Sequence, residues 1–573
     1  MVKKETNKGD YLRRHKRQSL ISMAVLIAAI VVLNVFSSYK HFRIDLTQDK
    51  RYTLGEPTRE LLNTLDDQLY IKVYLEGELP AGFRKLKEST RELLDEMRNA
   101  SNTVIDYDFI DPLESGNVQE RNEIYQQLIE MGLEPVNLEV QMDGENTQKI
   151  IFPEAIIFYK NKQLSVKLLK QQIGVHPEEV LHNSIISLEY EISNTIRKLT
   201  NDAPSRIAFI EGHGELDENE TRDIFNTLSE FYEVERINLT KYKVGILDHF
   251  DLLIIAKPDS FFNDLENFKI DQFIVKGGRV LWLVESLLAN IDSMASHGGV
   301  STTMDYDLNL QNFFYHLGIR LNYNLVQDIQ CHLIPVLVNQ AAPQQDFRPW
   351  VYYPLVFPNS SHPIVNNLNA CLFQFASSMD TLPNKQIKKT VLLTSSELSR
   401  MVYNPARLSL AEVNTNPDER KFNKGKQILG VLLEGTFNSY FEGLLSPATL
   451  KSPDYGKFQN EGIPTKMIFI SDGDVIANQQ SRIRDQYFPL GYDRFSKQTF
   501  GNKNLILNAV DYLLDDSGLM TLRSKQFKLR LLDKSKIKKD KVSWQLINMV
   551  LPVVFIILFG LLFAYFRKTK FAR

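Results

Sequence analysis

Two cysteines in 573 residues, Cys331 and Cys371, are too few for a disulfide-braced scaffold or a cysteine zinc cluster. They leave open one pairing in an oxidising compartment or two buried thiols. No Cys-x-x-Cys occurs, which removes thioredoxin-type redox chemistry. An excess of one charge is missing as well: 67 Lys and Arg face 70 Asp and Glu, for a net −3. Such a balance carries no electrostatic footprint of a nucleic-acid binder. A Gly-x-x-x-x-Gly-Lys-Ser/Thr loop is also absent, so ATP hydrolysis would have to come from a partner. Nothing in the chain calls for a cofactor.

Long hydrophobic runs are few, but they stand at the two ends, at 20–36 and 544–566. A helix rises about 1.5 Å per residue and the hydrocarbon layer is about 30 Å thick, so about 20 apolar residues cross it. The first run, broken only by Ser22 and Asn34, reaches that length when 37–39 are included. The second begins and ends in aromatic residues suited to the headgroup region, and its Pro552 and Gly560 are tolerable in lipid. A cleaved signal peptide is the alternative for the first run. Its apolar stretch exceeds a signal core, and Phe36-Ser37-Ser38 matches the small-x-small cleavage pattern poorly.

Two spans put both tails on one side. Lys3, Lys4, Lys8, Arg13, Arg14, Lys16 and Arg17 before the first run, and Arg567, Lys568, Lys570 and Arg573 after the second, make that side cytoplasmic. Lys534, Lys536, Lys538, Lys539 and Lys541 point the other way. A block of this size translocates largely regardless of charge, so the expectation is an inner-membrane protein with its bulk in the periplasm. The expected layout is a basic tail (1–19), a span (20–39), a small α/β domain (40–177), a connecting helix (178–204), a larger α/β domain (205–520) with an insertion at about 289–389, a basic linker (521–543), a span (544–566) and a tail (567–573).

In the small domain, Thr53 and Glu56 read as a capping box ahead of a helix to about residue 65. A strand at 69–75, a helix at 83–99 and a strand at 103–110 make a βαβ unit. A further helix is closed by Gly132, and strands 155–159 and 163–168 flank a turn at Asn161-Lys162. The outline is thioredoxin-like. The connecting helix carries an apolar stripe, Ile185, Leu188, Ile192, Ile196 and Leu199, read as core or interdomain packing rather than a partner face. In the larger domain, apolar strands at 206–210, 232–239, 251–256 and 279–284 alternate with helices at 218–231 and 264–276, the rhythm of a parallel sheet covered on both faces. Strands return at 390–394, 427–433 and 466–470, followed by a helix at 502–514. Residues 405–426 read as a polar loop.

Ligands of open parallel sheets bind beyond the carboxyl ends of the strands. Three such ends are rich in polar groups: Glu211-Gly212-His213-Gly214-Glu215, Glu285-Ser286, and Ser471-Asp472-Gly473-Asp474. One reading is a ligand pocket of Glu211, His213, Glu215, Glu285, Ser286, Asp472 and Asp474, whose oxygens and imidazole suit a divalent cation. The other is that the glycines permit a tight turn while the carboxylates cap helices. The spacing matches no established metal signature, so no metal is assigned. No catalytic residue is assigned either: Leu283-Val284-Glu285-Ser286 lacks the glycines of a nucleophile elbow, and His297, His316 and His332 are isolated.

Asp45-Leu46-Thr47 with Arg51-Tyr52-Thr53-Leu54, Ile71-Lys72-Val73-Tyr74-Leu75, the Glu211–Glu215 and Ser471–Asp474 motifs and an apolar helix at each end resemble, in order and over essentially the whole chain, the gliding-motility-associated ABC transporter substrate-binding protein of Bacteroidetes, its G component. That resemblance implies a non-enzymatic envelope subunit that associates with an ABC permease and a cytoplasmic ATPase. It also implies an amidotransferase-like middle domain without catalytic residues, matching the missing elbow. The alternatives are a solute receptor using the strand-end pocket, and a membrane-tethered hydrolase.

Overall fold

The computed structural model describes residues 17, 20–32, 534–571 and 53–524, the last except 113, 115–116, 143–144, 202, 338–344, 359, 447, 449–451, 453–454 and 482–485. Residues 1–525 form one compact unit and 526–573 a second. Residues 33–39 of the expected first span, 40–52 of the expected small domain, most of the expected N-terminal tail, 525–533 of the basic linker and 572–573 of the C-terminal tail lie outside the described residues.

The N-terminal part of the first unit is built on a four-stranded sheet in the order Ile105–Phe109, Leu69–Val73, Glu154–Tyr159, Lys162–Lys167. The first two strands are parallel, as a βαβ unit requires, and the other two antiparallel. Leu69, Ile71 and Val73 alternate inward and are fully buried. The helices Ala81–Ala100 and Pro177–Thr200 cover this face through Leu86, Leu94, Met97, Leu188, Ile192, Ile196 and Leu199. The expected stripe is therefore core.

Two local expectations need correction. The helix Glu56–Asn63 starts after Gly55 without a side-chain cap, so the Thr53–Glu56 capping box does not form. The Gly55 N–H is taken instead by Glu189 Oε1 at 2.6 Å, a carboxylate brought in by the long helix. The hairpin turn is Lys160-Asn161, because Tyr159 stays in register opposite Lys162. Sequence reading also overlooked a hairpin, Val136–Met142 with Glu145–Ile151, although Val136, Leu138, Val140 and Met142 alternate with Asn137, Glu139 and Gln141.

The larger sheet has nine strands. Its path runs Ile319–Leu321, Met379–Thr381, Ile428–Thr436, Pro464–Ile470, Arg279–Leu283, Leu252–Ala256, Arg206–Glu211, Glu233–Asn238, with Ile387–Thr394 also paired to Ile428–Thr436. The last five strands on the path are mutually parallel. Ile428–Thr436 is antiparallel to both Pro464–Ile470 and Ile387–Thr394. The expected parallel sheet is thus a mixed one. Apolar runs report burial, not direction, and no α-helix crosses between 436 and 464 among the described residues.

Alternation along the parallel strands serves two cores. Ile207, Phe209, Leu252, Ile254, Leu281, Leu283, Ile468 and Ile470 face the helices Arg222–Ser229 and Asn502–Leu514. Ala208, Ile210, Leu253, Ile255, Val280, Trp282, Met467 and Phe469 face Asp264–Val275 and Gln311–Leu317. The stretch 289–389, without periodicity in sequence, supplies edge strands, the helix Gln311–Leu317 and small two- and three-stranded sheets.

In the second unit a single helix, Lys534–Phe571, spans 38 residues, about 57 Å at the usual rise. The lysines expected in a linker form its first turns, consistent with the good helix propensity of Lys. Within it Ser543–Thr569 is long and apolar enough to cross a bilayer, and it alone is so among the described residues. Leu20–Val32 is a shorter apolar helix.

Candidate functional site

Three neighbouring parallel strands end at one edge of the large sheet, Leu283 pairing with Ala256 on one side and Ile470 on the other. The N–H of Lys257 donates to the Leu283 carbonyl at 2.8 Å, and that of Val284 to the Ile470 carbonyl at 3.0 Å. The side chains that follow meet there. Lys257 Nζ lies 3.2 Å from Glu285 Oε1 and 2.7 Å from Asp474 Oδ2. The Gly473 N–H donates to Glu285 Oε1 at 3.2 Å, and Asp472 accepts the N–H groups of Asp474 at 2.8 Å and Gln374 at 2.5 Å.

Close approach makes this arrangement specific. Lys257 adopts φ +55°, a left-handed conformation uncommon for a non-glycine residue. A Cβ on Gly473 would lie 2.4 Å from Lys257 Cβ, so a side chain there has no room.

The electrostatics follow from burial. Glu285 is 1% exposed and Asp472 0%, and removal from water disfavours their charged forms. Burial pushes Glu285 up to about 8 and holds Asp472 well above the usual carboxylate range. For Lys257 burial works against the charge, but Asp474 and Glu285 outweigh it and keep its pKa above the ordinary lysine value. Oxygens of Glu285, Asp472 and Asp474 come within 4.8 Å of one another. Hard oxygens suit a divalent cation, yet the Lys257 ammonium already supplies the positive charge among them.

Glu285 also lines a pocket of about 240 Å³ with Ser286, Tyr306, Leu308, Phe314 and Tyr323 among its walls. Lys257 Nζ and the Gly473 N–H engage Glu285 Oε1, whereas buried Oε2 has no hydrogen-bond partner. Ser286 Oγ donates to the Asn322 carbonyl at 2.8 Å and lies 2.7 Å from Ser377 Oγ; neither partner is a general base. Cys331 and Cys371 are free thiols. Burial pushes Cys331 up to about 12 and Cys371 higher, against thiolate chemistry.

The remaining expected residues belong to a separate cluster. His213 is 2% exposed. Its Nδ1 lies 3.2 Å from Glu215 Oε1, its Nε2 lies 3.0 Å from Glu266 Oε2, and its ring stacks on Phe262 with centroids 3.6 Å apart. Glu266 closes a true capping box with Asn263 at the start of Asp264–Val275. Gly212 and Gly214 take φ +120° and +74°, as the tight-turn reading anticipates. Burial opposes protonation of His213, but its hydrogen bonds to the carboxylates of Glu215 and Glu266 prevail and raise its pKa. Glu211 pairs with Arg236 at 3.1 Å.

The seven residues expected in one pocket therefore divide: Glu285, Ser286, Asp472 and Asp474 gather, while His213 with Glu215, and Glu211, engage other partners. Sequence reading overlooked Lys257 and Glu266. Lys257 was within reach of the strand-end rule, since it follows Leu252–Ala256 directly. Glu266 was legible as the third residue after Asn263.

Fold and site thus define an α/β protein with a buried lysine–carboxylate cluster at its strand ends and an apolar C-terminal helix of membrane-spanning length. The chain belongs to the family described as an ABC-type uncharacterized transport system, whose model matches residues 204–509. A domain of unknown function matches 48–158. An uncharacterized protein of Borreliella burgdorferi is 21% identical over 572 residues, covering 97% of this chain and 99% of the relative. The solved structure titled mmIFT52 N-terminal domain covers 55% of this chain and 99% of its own, at 13% identity and a TM-score of 0.31.

Proposed function

We propose that this ABC transport auxiliary protein is a non-catalytic, membrane-anchored subunit that docks on an ABC permease coupled to a cytoplasmic ATPase, with its α/β body outside the cytoplasm and a role in gliding motility. The family match over 204–509 supports the transport part of this reading, and the motility role rests on the motif resemblance alone. The apolar segment Ser543–Thr569 supports anchoring in the inner membrane, and the run at 20–39 is the proposed second anchor. The parallel half of the large sheet, ending in Glu285-Ser286 without flanking glycines, supports an amidotransferase-like frame used for something other than acyl transfer. In this layout the segment 48–158 and the matched 204–509 belong to two α/β domains joined by the helix Pro177–Thr200.

Gentle detergent extraction followed by affinity capture of the full chain should recover a polytopic permease and an ATPase in fixed ratio. Recovery of the chain alone under conditions that keep other ABC complexes intact refutes the subunit reading. The solute-receptor reading is favoured by one observation, the pocket beside Glu285.

A further inference from the structure

Leu308, Leu310 and Leu321 give the pocket beside the strand-end cluster an apolar wall, and Tyr306, Phe314 and Tyr323 bring three aromatic side chains to it. Phe314 is already met edge-on by Trp282 and Phe469, whereas neither tyrosine ring has an aromatic neighbour among the described residues. Aromatic pairs gain from offset or edge-on contact beyond the area they bury, so two unmatched rings in one cavity favour an aromatic guest. The electrostatics disfavour an ion. Lys257 and Asp474 neutralise each other at 2.7 Å, and burial opposes the charged forms of Glu285 and Asp472. Arg320, at the exposed end of the pocket, is committed to Asp380, with Nε 3.0 Å from Oδ2. A charged guest would therefore give up its water and find no counter-ion. A cavity of about 150 Å³ lined by aliphatic and aromatic residues holds benzene, so one of about 240 Å³ admits a ring with a few further heavy atoms. One polar group is left over: the hydroxyl of half-buried Tyr306 makes no hydrogen bond among the described residues. Burial, then the neighbouring Glu285, push its pKa above the ordinary tyrosine value, so it stays a donor at neutral pH.

We propose that this pocket binds a small uncharged aromatic compound with one hydroxyl, a phenol whose ring packs against Tyr323 and Phe314 and whose oxygen accepts from the Tyr306 hydroxyl. A saturated alcohol of the same outline keeps the apolar burial and loses the ring contacts. A carboxylate or an ammonium on the same ring keeps the ring contacts and loses hydration without compensation. The proposal deepens the receptor side of the function proposed above and rests on it only for the reading of this pocket as a ligand site.

The test is isothermal titration of the full chain in a neutral maltoside detergent at neutral pH, against protein-free micelles, with p-cresol, 4-methylcyclohexanol, p-toluate and 4-methylbenzylammonium as probes. Saturable binding of p-cresol is expected, about threefold to tenfold tighter than 4-methylcyclohexanol and at least about tenfold tighter than either ion. Tyr306→Phe deletes only a hydroxyl without a partner, so the fold is kept, and p-cresol should weaken by about threefold to tenfold while toluene binds as before. Tyr323→Leu keeps the apolar bulk and should bring p-cresol down to the level of 4-methylcyclohexanol. No saturable binding of p-cresol, equal binding of 4-methylcyclohexanol or of either ion, or unchanged p-cresol affinity in both variants overturns the proposal. Capture of permease and ATPase is scored separately, so a failed titration with intact capture removes the ligand and keeps the subunit.

Discussion

Replacing Lys257 by Met removes the cation from a group of three carboxylates, two of them buried, while keeping side-chain length. At an effective dielectric of about 20, contacts at 3.2 and 2.7 Å correspond to gross attractions of about 5 and about 6 kcal/mol. Much of that attraction only offsets dehydration of the ions, and deleting one member of a buried pair costs about 3–5 kcal/mol overall. Proton uptake limits the loss here. Glu285, already pushed up to about 8, binds a proton rather than remain an unpaired anion. A carboxyl whose folded pKa is raised contributes stability fully present below its unfolded value, and that contribution fades as pH rises through the folded value. The variant should therefore lose about 3 kcal/mol at pH 8.5 and about half of that at pH 5.5. Urea unfolding of the full chain in detergent, followed by the fluorescence of buried Trp282 and Trp350, reads both numbers. Equal stability of variant and wild type at pH 8.5, or a larger loss at the lower pH, refutes the argument.

His213 gives a second pH signature of known sign: its folded pKa is raised, so its contribution is complete below about 6.5 and disappears as pH rises through the folded value. His213→Gln should flatten the decline in wild-type stability above neutrality, measured as unfolding midpoint against pH. Asp511 is buried, accepts from Tyr232 at 2.6 Å and Asn194 at 3.0 Å, and lies near Lys198 and Arg197. Despite burial, Lys198 and Arg197 hold its pKa down, so its contribution is present above about 4 and lost on acidification. Asp511→Ala should cost about 2–4 kcal/mol at neutral pH and speed hydrogen exchange along Pro177–Thr200, the helix tied to it; unchanged exchange in that helix would contradict the tie. Gly473→Ala should cost about 1–3 kcal/mol through the clash with Lys257, read by the same urea titration.

Much of the architecture was legible from residue patterns. The runs Arg206–Glu211, Leu252–Ala256 and Arg279–Leu283 are so apolar that only a strand buried on both faces accommodates them. The stripe Leu188, Ile192, Ile196 and Leu199 announced a core helix, and Ser543–Thr569 announced itself by length. Such features depend on local periodicity, which any stretch of chain carries within itself. Strand direction at Ile428–Thr436 was not legible, because it rests on how the connection runs rather than on the strand's composition.

The strand-end rule singled out Glu285 and Asp472 from the chain alone, since both follow apolar runs directly. Their separation from His213 and Glu215 arises from pairing order: Leu252–Ala256 lies between the strands that end in these two groups, and it brings Lys257 to the one while Glu266 reaches the other from a helix. Residues within one turn or strand declare their roles through spacing. A charge in the interior takes its role from whichever partner folding delivers, because in a low dielectric an ion within about 3 Å outweighs all that is local to it.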